Sequence, residues 1–346
     1  MQTQFQRRSH IGEAPRRITA AAVNKWGMLV ALTFVMGAAT HTQAAPEVKR
    51  ARVAVPVADL RKEPVRAGTD LEHDSLEESQ LLYGDPVEVL EEKEGWTRVA
   101  ALEQLEFTHN NRWEGYPGWV ESSQLVPEPG DWKPDLVVTA KLGMVRDKPN
   151  LQAPVRAVLS VGTHLMGKVD TQQESWWWRL RLLDGTIGWI PADQTTRMEA
   201  IRWMFHRPGI IRERLVQTAR LFLNDPYYWG GRSAFNPNAL GSAHTAVDCS
   251  GLVGLVYQAN VLPIPRDAHE QWLQALPIPP ERLAPGDVIF LHDAKNPDKV
   301  THVMLYIGEN RVIEGPGTGS RVREIDLTER LKEAKGRRIS FGTYLP

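Results

Sequence analysis

Cys249 is the only cysteine in 346 residues, and it stands in the stretch VDCSGLVGLVY, Val247 to Tyr257. A lone cysteine is commonly a small buried hydrophobe. A nucleophilic one must reach the thiolate state, and a free thiol titrates at about 8.5. A helix N-terminus lowers that value, because its unpaired N–H groups and its dipole favour negative charge. Asp248 has the side chain of an N-cap, which puts Cys249 in the first turn of a helix. Gly251 and Gly254 keep that turn slim enough for a substrate backbone to approach. A space-filling residue gains little in so polar a position. A nucleophile also needs a base. His302 opens the apolar run HVMLYIG behind the polar loop HDAKNPDKVT, so it stands at the mouth of a core strand. His292 ends the preceding apolar run and is the alternative base.

The surrounding pattern divides into three segments. Over residues 51–127, short alternating runs such as ARVAVPVADLR and DPVEVLEE are separated by turn signals, the pattern of a small all-β module. PEPGDWKP, Pro127 to Pro134, is a linker. Residues 135–197 repeat the first pattern. Arg61–Pro64 and Arg146–Pro149 carry the same Arg-x-x-Pro turn, and each copy ends on Gly-Trp followed by a β-branched residue, at Gly118–Val120 and Gly188–Ile190. The first copy is longer, with the extra stretches LEHDSLEESQ and EQLEFTHNNRWE. From residue 201 the pattern changes. Ile211, Leu215, Ala219 and Phe222 recur at helical spacing and predict a helix over 210–225. CSGLVGLVYQAN reads as a second helix, and PGDVIFL, HVMLYIG and RVIEGPG read as strands. Helices followed by strands indicate an α+β domain.

The chain is of ordinary globular composition, 42% hydrophobic and 24% charged with a formal net charge of -1. It has no basic stripe, which disfavours a nucleic-acid partner. The N-terminus reads as an export signal. A basic region ends at Lys25, the apolar run Trp26–Ala39 follows, and Thr42 and Ala44 supply small residues for cleavage after Ala44. The run is short for a membrane span. The histidines lack metal-ligand spacing, there is no second cysteine, and GPGTGS lacks the lysine of a phosphate loop, so neither metal nor cofactor is expected.

Five motifs occur in order: PYYWGG (226–231), DCSGLV (248–253), IPRDAHEQ (264–271), LAPGDVIF (283–290) and THVMLYIGENRVIEGPGTGSRV (301–322). Together they resemble the NlpC-type papain-like cysteine peptidases of the bacterial cell wall. The two β modules resemble the bacterial SH3-like domains that accompany such enzymes. The combination is similar to the γ-D-glutamyl-L-diamino acid endopeptidase subgroup. The resemblance implies a signal peptide at 1–45, SH3-like domains at 46–130 and 131–200, and an α+β papain-like peptidase domain at 201–346. It implies export to the periplasm or cell envelope, and a monomer acting on L-Ala-γ-D-Glu-diamino acid peptides. Carried over by motif, Cys249 matches the nucleophile, His302 the base and Tyr227 a tyrosine at the oxyanion. Asp248, Ser250, Arg266 and Asp267 match substrate-contacting positions. Asp85 in YGDPVEV and Tyr116 in GYPGW sit where the subgroup binds a free L-alanine amine. Two positions depart from the pattern. Glu314 stands where a histidine usually orients the base, and Ala268 replaces a common serine. These departures leave open a non-catalytic wall-binding protein, and the same machinery would serve a related amidase or acyltransferase.

Overall fold

The computed structural model describes residues 48–66, 73–169, 176–234 and 246–345. The expected export signal lies outside them. The first module contains β1 (Arg50–Val53), β2 (Val57–Arg61), β3 (Glu77–Leu82), β4 (Pro86–Lys93), β5 (Trp96–Glu106), β6 (Glu114–Glu121) and β7 (Leu125–Pro127). The second contains β8 (Leu136–Val138), β9 (Leu142–Arg146), β10 (Val155–Ser160), β11 (His164–Val169), β12 (Trp177–Arg181), β13 (Ile187–Pro191) and β14 (Thr195–Arg197). The sheet orders are β3-β2-β6-β5-β4-β1-β7 and β10-β9-β13-β12-β11-β8-β14, so each strand of one module has a counterpart at the same place in the other. The repeat seen in the sequence is therefore a repeat of topology.

The recurring Gly-Trp has a steric cause. A Cβ on Gly118 would lie 2.5 Å from Leu60 Cγ, and one on Gly188 would lie 2.6 Å from Val145 Cγ1. Leu60 and Val145 occupy the corresponding strands β2 and β9. Each glycine thus lets two strands cross closely at the module's core. The modules differ where the first is longer. β5 runs to Glu106, and its pairing with β6 shifts between Ala101 and Leu105. That bulge bends β5 and carries the following loop toward the third domain.

The third domain begins with α1 (Met198–Met204) and α2 (Pro208–Arg220). Pro208 at the first helical position and Ile211, Leu215, Val216 and Ala219 on the buried face explain α2. It ends earlier than the periodicity predicts, and Phe222 stays fully buried in the turn beyond. The short strands β15 (Arg232–Ser233) and β16 (Ala246–Val247) flank residues 235–245, which lie outside the described residues. Next come α3 (Cys249–Ala259), α4 (Ala268–Gln274), β17 (Leu276–Pro277), β18 (Val288–His292), β19 (Val300–Gly308), β20 (Arg311–Glu314), β21 (Arg323–Asp326), α5 (Leu327–Glu333) and β22 (Ile339–Thr343). The six strands from β17 onward form one antiparallel sheet, ordered β17-β22-β18-β19-β20-β21. No helix among the described residues is long and apolar enough to cross a membrane.

The three parts share a core. Val57 and Leu82 of the first module and Val137 and Val161 of the second join the cluster built on Leu252, Val253, Leu255 and Val256 of α3. A polar network crosses the same junction. Asp85 is 4% exposed; its Oδ2 accepts the Leu82 N–H at 2.9 Å and lies 3.8 Å from Arg232 Nη1. His164 Nδ1 lies 3.7 Å from Glu103 Oε2. Burial first, then the Glu103 carboxylate, push Asp85 up to about 6 against the pull of Arg232. A carboxyl raised on folding contributes stability that is present below about pH 4 and lost as pH rises through about 6. Asp85→Asn keeps an acceptor for Leu82 and removes the charge. Urea denaturation should find the variant more stable than wild type by roughly 1–3 kcal/mol at pH 7, with the difference gone near pH 4. A variant less stable than wild type at pH 7 would contradict this account.

Candidate active site

The site is built on the start of α3. Asp248 caps the helix, its Oδ1 accepting the Gly251 N–H at 2.5 Å. Arg266 grips the same carboxylate with both terminal nitrogens, Nη1 to Oδ1 at 3.2 Å and Nη2 to Oδ2 at 2.7 Å. Its Nη1 also donates to Ser250 Oγ at 3.0 Å, and its Nε to Ser79 Oγ of the first module at 2.7 Å. The helix start packs against the turn after Tyr227. A Cβ on Gly251 would fall 2.1 Å from the Gly231 carbonyl oxygen, so only glycine fits. Gly254 carries no such constraint, since a Cβ there meets Gln271 Nε2 at an ordinary 3.7 Å.

Cys249, the first residue of α3, is partly exposed on a cleft of about 640 Å³. Burial is the main influence on its thiol, and together with the Asp248 carboxylate it pushes the thiol up to about 12. The backbone N–H groups of Val303 and Ser250 and the Arg266 charge act the other way and are outweighed. This corrects the expectation of a thiol lowered by its helix position. The protonated thiol is thereby favoured, and any reaction through the sulfur requires a base to take its proton.

His302 lies on β19, one residue before Val303, whose backbone meets the sulfur. It is 6% exposed, and its Nε2 lies 2.7 Å from Glu314 Oε2. With Nε2 committed to a carboxylate, Nδ1 is left as the acceptor in the neutral ring. Glu314 ends β20, is 1% exposed and also receives Arg330 and Arg323. Burial would raise its carboxyl, but His302 and Arg330 hold it down at about 2, so it is ionised. His292, the alternative base, is fully buried on β18 with its Nε2 2.8 Å from Ser340 Oγ, where no carboxylate among the described residues orients it.

Tyr227, Asp248, Ser250 and Asp267 line the cleft with Cys249, and Tyr116 reaches it from the first module. Burial, followed by Asp248 and Cys249, pushes the Tyr227 hydroxyl well up, so it remains a donor. The Tyr116 hydroxyl is 3.0 Å from Asp267 Oδ2 and 3.1 Å from Glu78 Oε2. Arg266 lies beneath the floor rather than on it. Asp85 is not in the cleft at all: it belongs to the domain junction. A turn aspartate at the edge of a module looks exposed in sequence, but here the neighbouring domain covers it.

The acidic wall residue is instead Glu78 on β3, accompanied by Thr108 and His109 beyond β5. Glu78 and Thr108 fall within the two extra stretches that distinguish the first module, and this was the sequence signal for them. Trp229, His269 and Glu270 also line the cleft, with His269 Nδ1 accepting the Val300 N–H at 3.2 Å. Among the described residues, no group of three or more His, Cys, Asp or Glu is placed to hold a metal ion. A thiol, an imidazole oriented by a carboxylate, and a buried hydroxyl donor can together perform acyl transfer.

Comparison with known proteins supports the same chemistry. Residues 224–338 match the model of the NlpC/P60 family. A γ-D-glutamyl-L-lysine dipeptidyl-peptidase of Bacillus cereus is 30% identical over 260 residues, covering 72% of this chain and 70% of the relative. One from Bacillus subtilis is 25% identical over 261 residues, covering 75% and 79%. The crystal structure of an NlpC/P60 family protein from Bacillus cereus superposes with a TM-score of 0.68 at 22% identity, over 86% of this chain and all of that one, which establishes the shared fold. With the β modules and the Cys249 site both in place, the chain belongs to the NlpC/P60 family.

Proposed function

We propose that the protein is a cysteine endopeptidase that hydrolyses the γ-D-glutamyl–diamino acid amide bond of peptidoglycan stem peptides bearing a free N-terminal L-Ala amine. Family membership supports the broader reading, a cysteine peptidase of peptidoglycan. The single observation that carries the finer one is the Glu78–Tyr116–Asp267 group, which faces the same cleft as Cys249. Two carboxylates sharing one phenol hydroxyl suit an ammonium ion, which brings three donors and a positive charge. The export signal read in residues 1–45 fits action in the periplasm or cell envelope.

In this reading Cys249 Sγ attacks the γ-carbonyl carbon of D-glutamate, and its proton passes to His302 Nδ1. Glu314 stabilises the imidazolium through Nε2. The Cys249 backbone N–H and the Tyr227 hydroxyl stabilise the oxyanion. His302 then protonates the departing amine of the diamino acid, leaving a thioester. Water, deprotonated by His302, hydrolyses the thioester, which releases the γ-carboxylate of the dipeptide and restores the thiol.

Incubation of the protein with L-Ala-γ-D-Glu-diaminopimelate should yield L-Ala-D-Glu and free diaminopimelate by mass spectrometry. Cys249→Ala should lower the rate at least a thousandfold. Absence of cleavage by wild type, or undiminished cleavage by the variant, would sink the proposal. Glu78→Gln should lower kcat/KM by roughly 10–100-fold, the scale of a lost charge-assisted contact. Acetylating the substrate amine should cost wild type about as much and cost the variant little more. Equal sensitivity of both proteins to acetylation would remove Glu78 from amine recognition.

The resting thiol makes a further testable point. Alkylation of Cys249 by iodoacetamide should accelerate with pH, with no plateau near neutrality. Saturation of the rate by pH 7 would instead mean a preformed thiolate–imidazolium pair.

A further inference from the structure

Glu314 occupies the position that orients His302, and it does so inside a cage of cations. Arg330 Nε lies 2.8 Å from both Oε1 and Oε2. Arg323 reaches Oε1 with Nε at 3.1 Å and Nη2 at 2.8 Å. His302 Nε2 takes the remaining approach to Oε2 at 2.7 Å. The three partners come from separate elements. His302 is on β19, Arg323 faces Glu314 directly in the β20–β21 register, and Arg330 projects from α5. Glu333, half exposed, tethers the outer sides of both guanidiniums, at 2.9 Å from Arg323 Nη2 and 3.7 Å from Arg330 Nη1.

We propose that Arg330, assisted by Arg323, is a positioning residue for the His302–Glu314 pair. The two guanidiniums fix the plane of the Glu314 carboxylate and offset its charge, so that Glu314 orients His302 without trapping a proton on it. The proposal rests on the reading of His302 as the base.

The physical need is plain. A neutral side chain at this position would orient an imidazole without attracting protons. A buried carboxylate alone would also stabilise the imidazolium, and an opposite charge at such range raises a histidine by about one to three pH units. A base held protonated at neutral pH cannot accept the proton of a thiol that itself rests protonated. The arginines resolve this conflict. They leave Glu314 able to accept the Nε2 hydrogen bond while both of its oxygens are also held by guanidinium groups.

Other groups do not substitute for them. Across the strand pair, β18 places apolar Leu291 opposite His302, and His292 is turned to Ser340. From α3 comes Cys249, with Asp248 already committed to Arg266. From α4 comes His269, which accepts from Val300. Arg337 binds Thr301 Oγ1 and the carbonyl oxygens of β18 rather than Glu314.

The test is an NMR titration of the His302 imidazole in a Cys249→Ala background, followed by the pH profile of peptide cleavage with Cys249 restored. Arg330→Met should move the His302 titration upward by about one pH unit. Arg330→Lys, which keeps the charge, should move it back most of the way. Glu314→Gln combined with Arg330→Met should cancel the shift. In kinetics, the acidic limb of kcat/KM for L-Ala-γ-D-Glu-diaminopimelate should move with it, and kcat at pH 7 should fall about threefold with KM little changed, as a one-unit rise of a histidine of ordinary titration requires. Arg323→Met, on the more exposed partner, should give a smaller shift in the same direction and serves if Arg330→Met fails to fold. An unmoved His302 titration in a folded Arg330→Met or Arg323→Met protein overturns the proposal, whatever the peptide assay shows. A titration that moves in the Arg330→Met protein, alongside a wild-type protein that cleaves no peptide, would uphold the cage and reject the proposed activity.

Discussion

The Arg266–Asp248 ion pair determines where everything else stands. Asp248 is the cap of the helix that begins with Cys249, and Arg266 holds that cap in a two-point grip while its Nε binds Ser79 of the first β module. The backbone N–H of Arg266 also donates to Leu105 O, on the bulged part of β5, at 3.0 Å. One residue thus sets both the start of the α3 helix and the wall that faces it. A buried pair of this kind is weak evidence of stability, because desolvation offsets much of the attraction. Its value is positional. Removing either partner would leave an uncompensated charge under the cleft floor, at a cost of about 3–5 kcal/mol.

The duplicated β modules have diverged around that grip. Both keep the strand order and the close-crossing glycine, so both fold by the same rules. Only the first carries the extra stretches, and they place Glu78 on β3 and the β5 bulge beside Arg266 and Asp267. The second module makes different contacts with the α+β domain. Ser160 Oγ accepts from Ala234 N at 2.9 Å, the Gly162 carbonyl accepts from Gln258 at 3.2 Å, and Lys141 pairs with Asp225 at 2.7 Å. These support the segments leading into and out of the site and do not line the cleft.

Much of this was legible in the sequence because it depends on local rules. The Asp248 cap, the start of α3, the repeat of modules and the order of strands β18 to β20 follow from spacing and residue type. The twelve-residue step from His302 to Glu314 spans one hairpin and puts the two side chains within hydrogen-bonding distance. What was not legible depends on long-range packing. Asp85 and Glu78 are both acidic residues in the same module, and only the docking of the α+β domain decides which one is covered and which faces the cleft. Gly254 looked like Gly251 in the motif but lacks the opposing Gly231 carbonyl. The thiol's upward shift comes from burial and from Asp248, which a helix-start argument leaves out. Arg323 and Arg330 could not be assigned to Glu314 without the register of β21 and the placement of α5.

The protonated resting state of Cys249 has a consequence beyond the reaction. Oxidation of cysteine to sulfenic acid and exchange with foreign disulfides both proceed through the thiolate. With burial and Asp248 holding the proton on sulfur, the unliganded protein presents oxidants with a poor target. Because it is the only cysteine, no second thiol is at hand to reverse such damage. The environment that keeps the proton on the Cys249 sulfur therefore also protects it from oxidation.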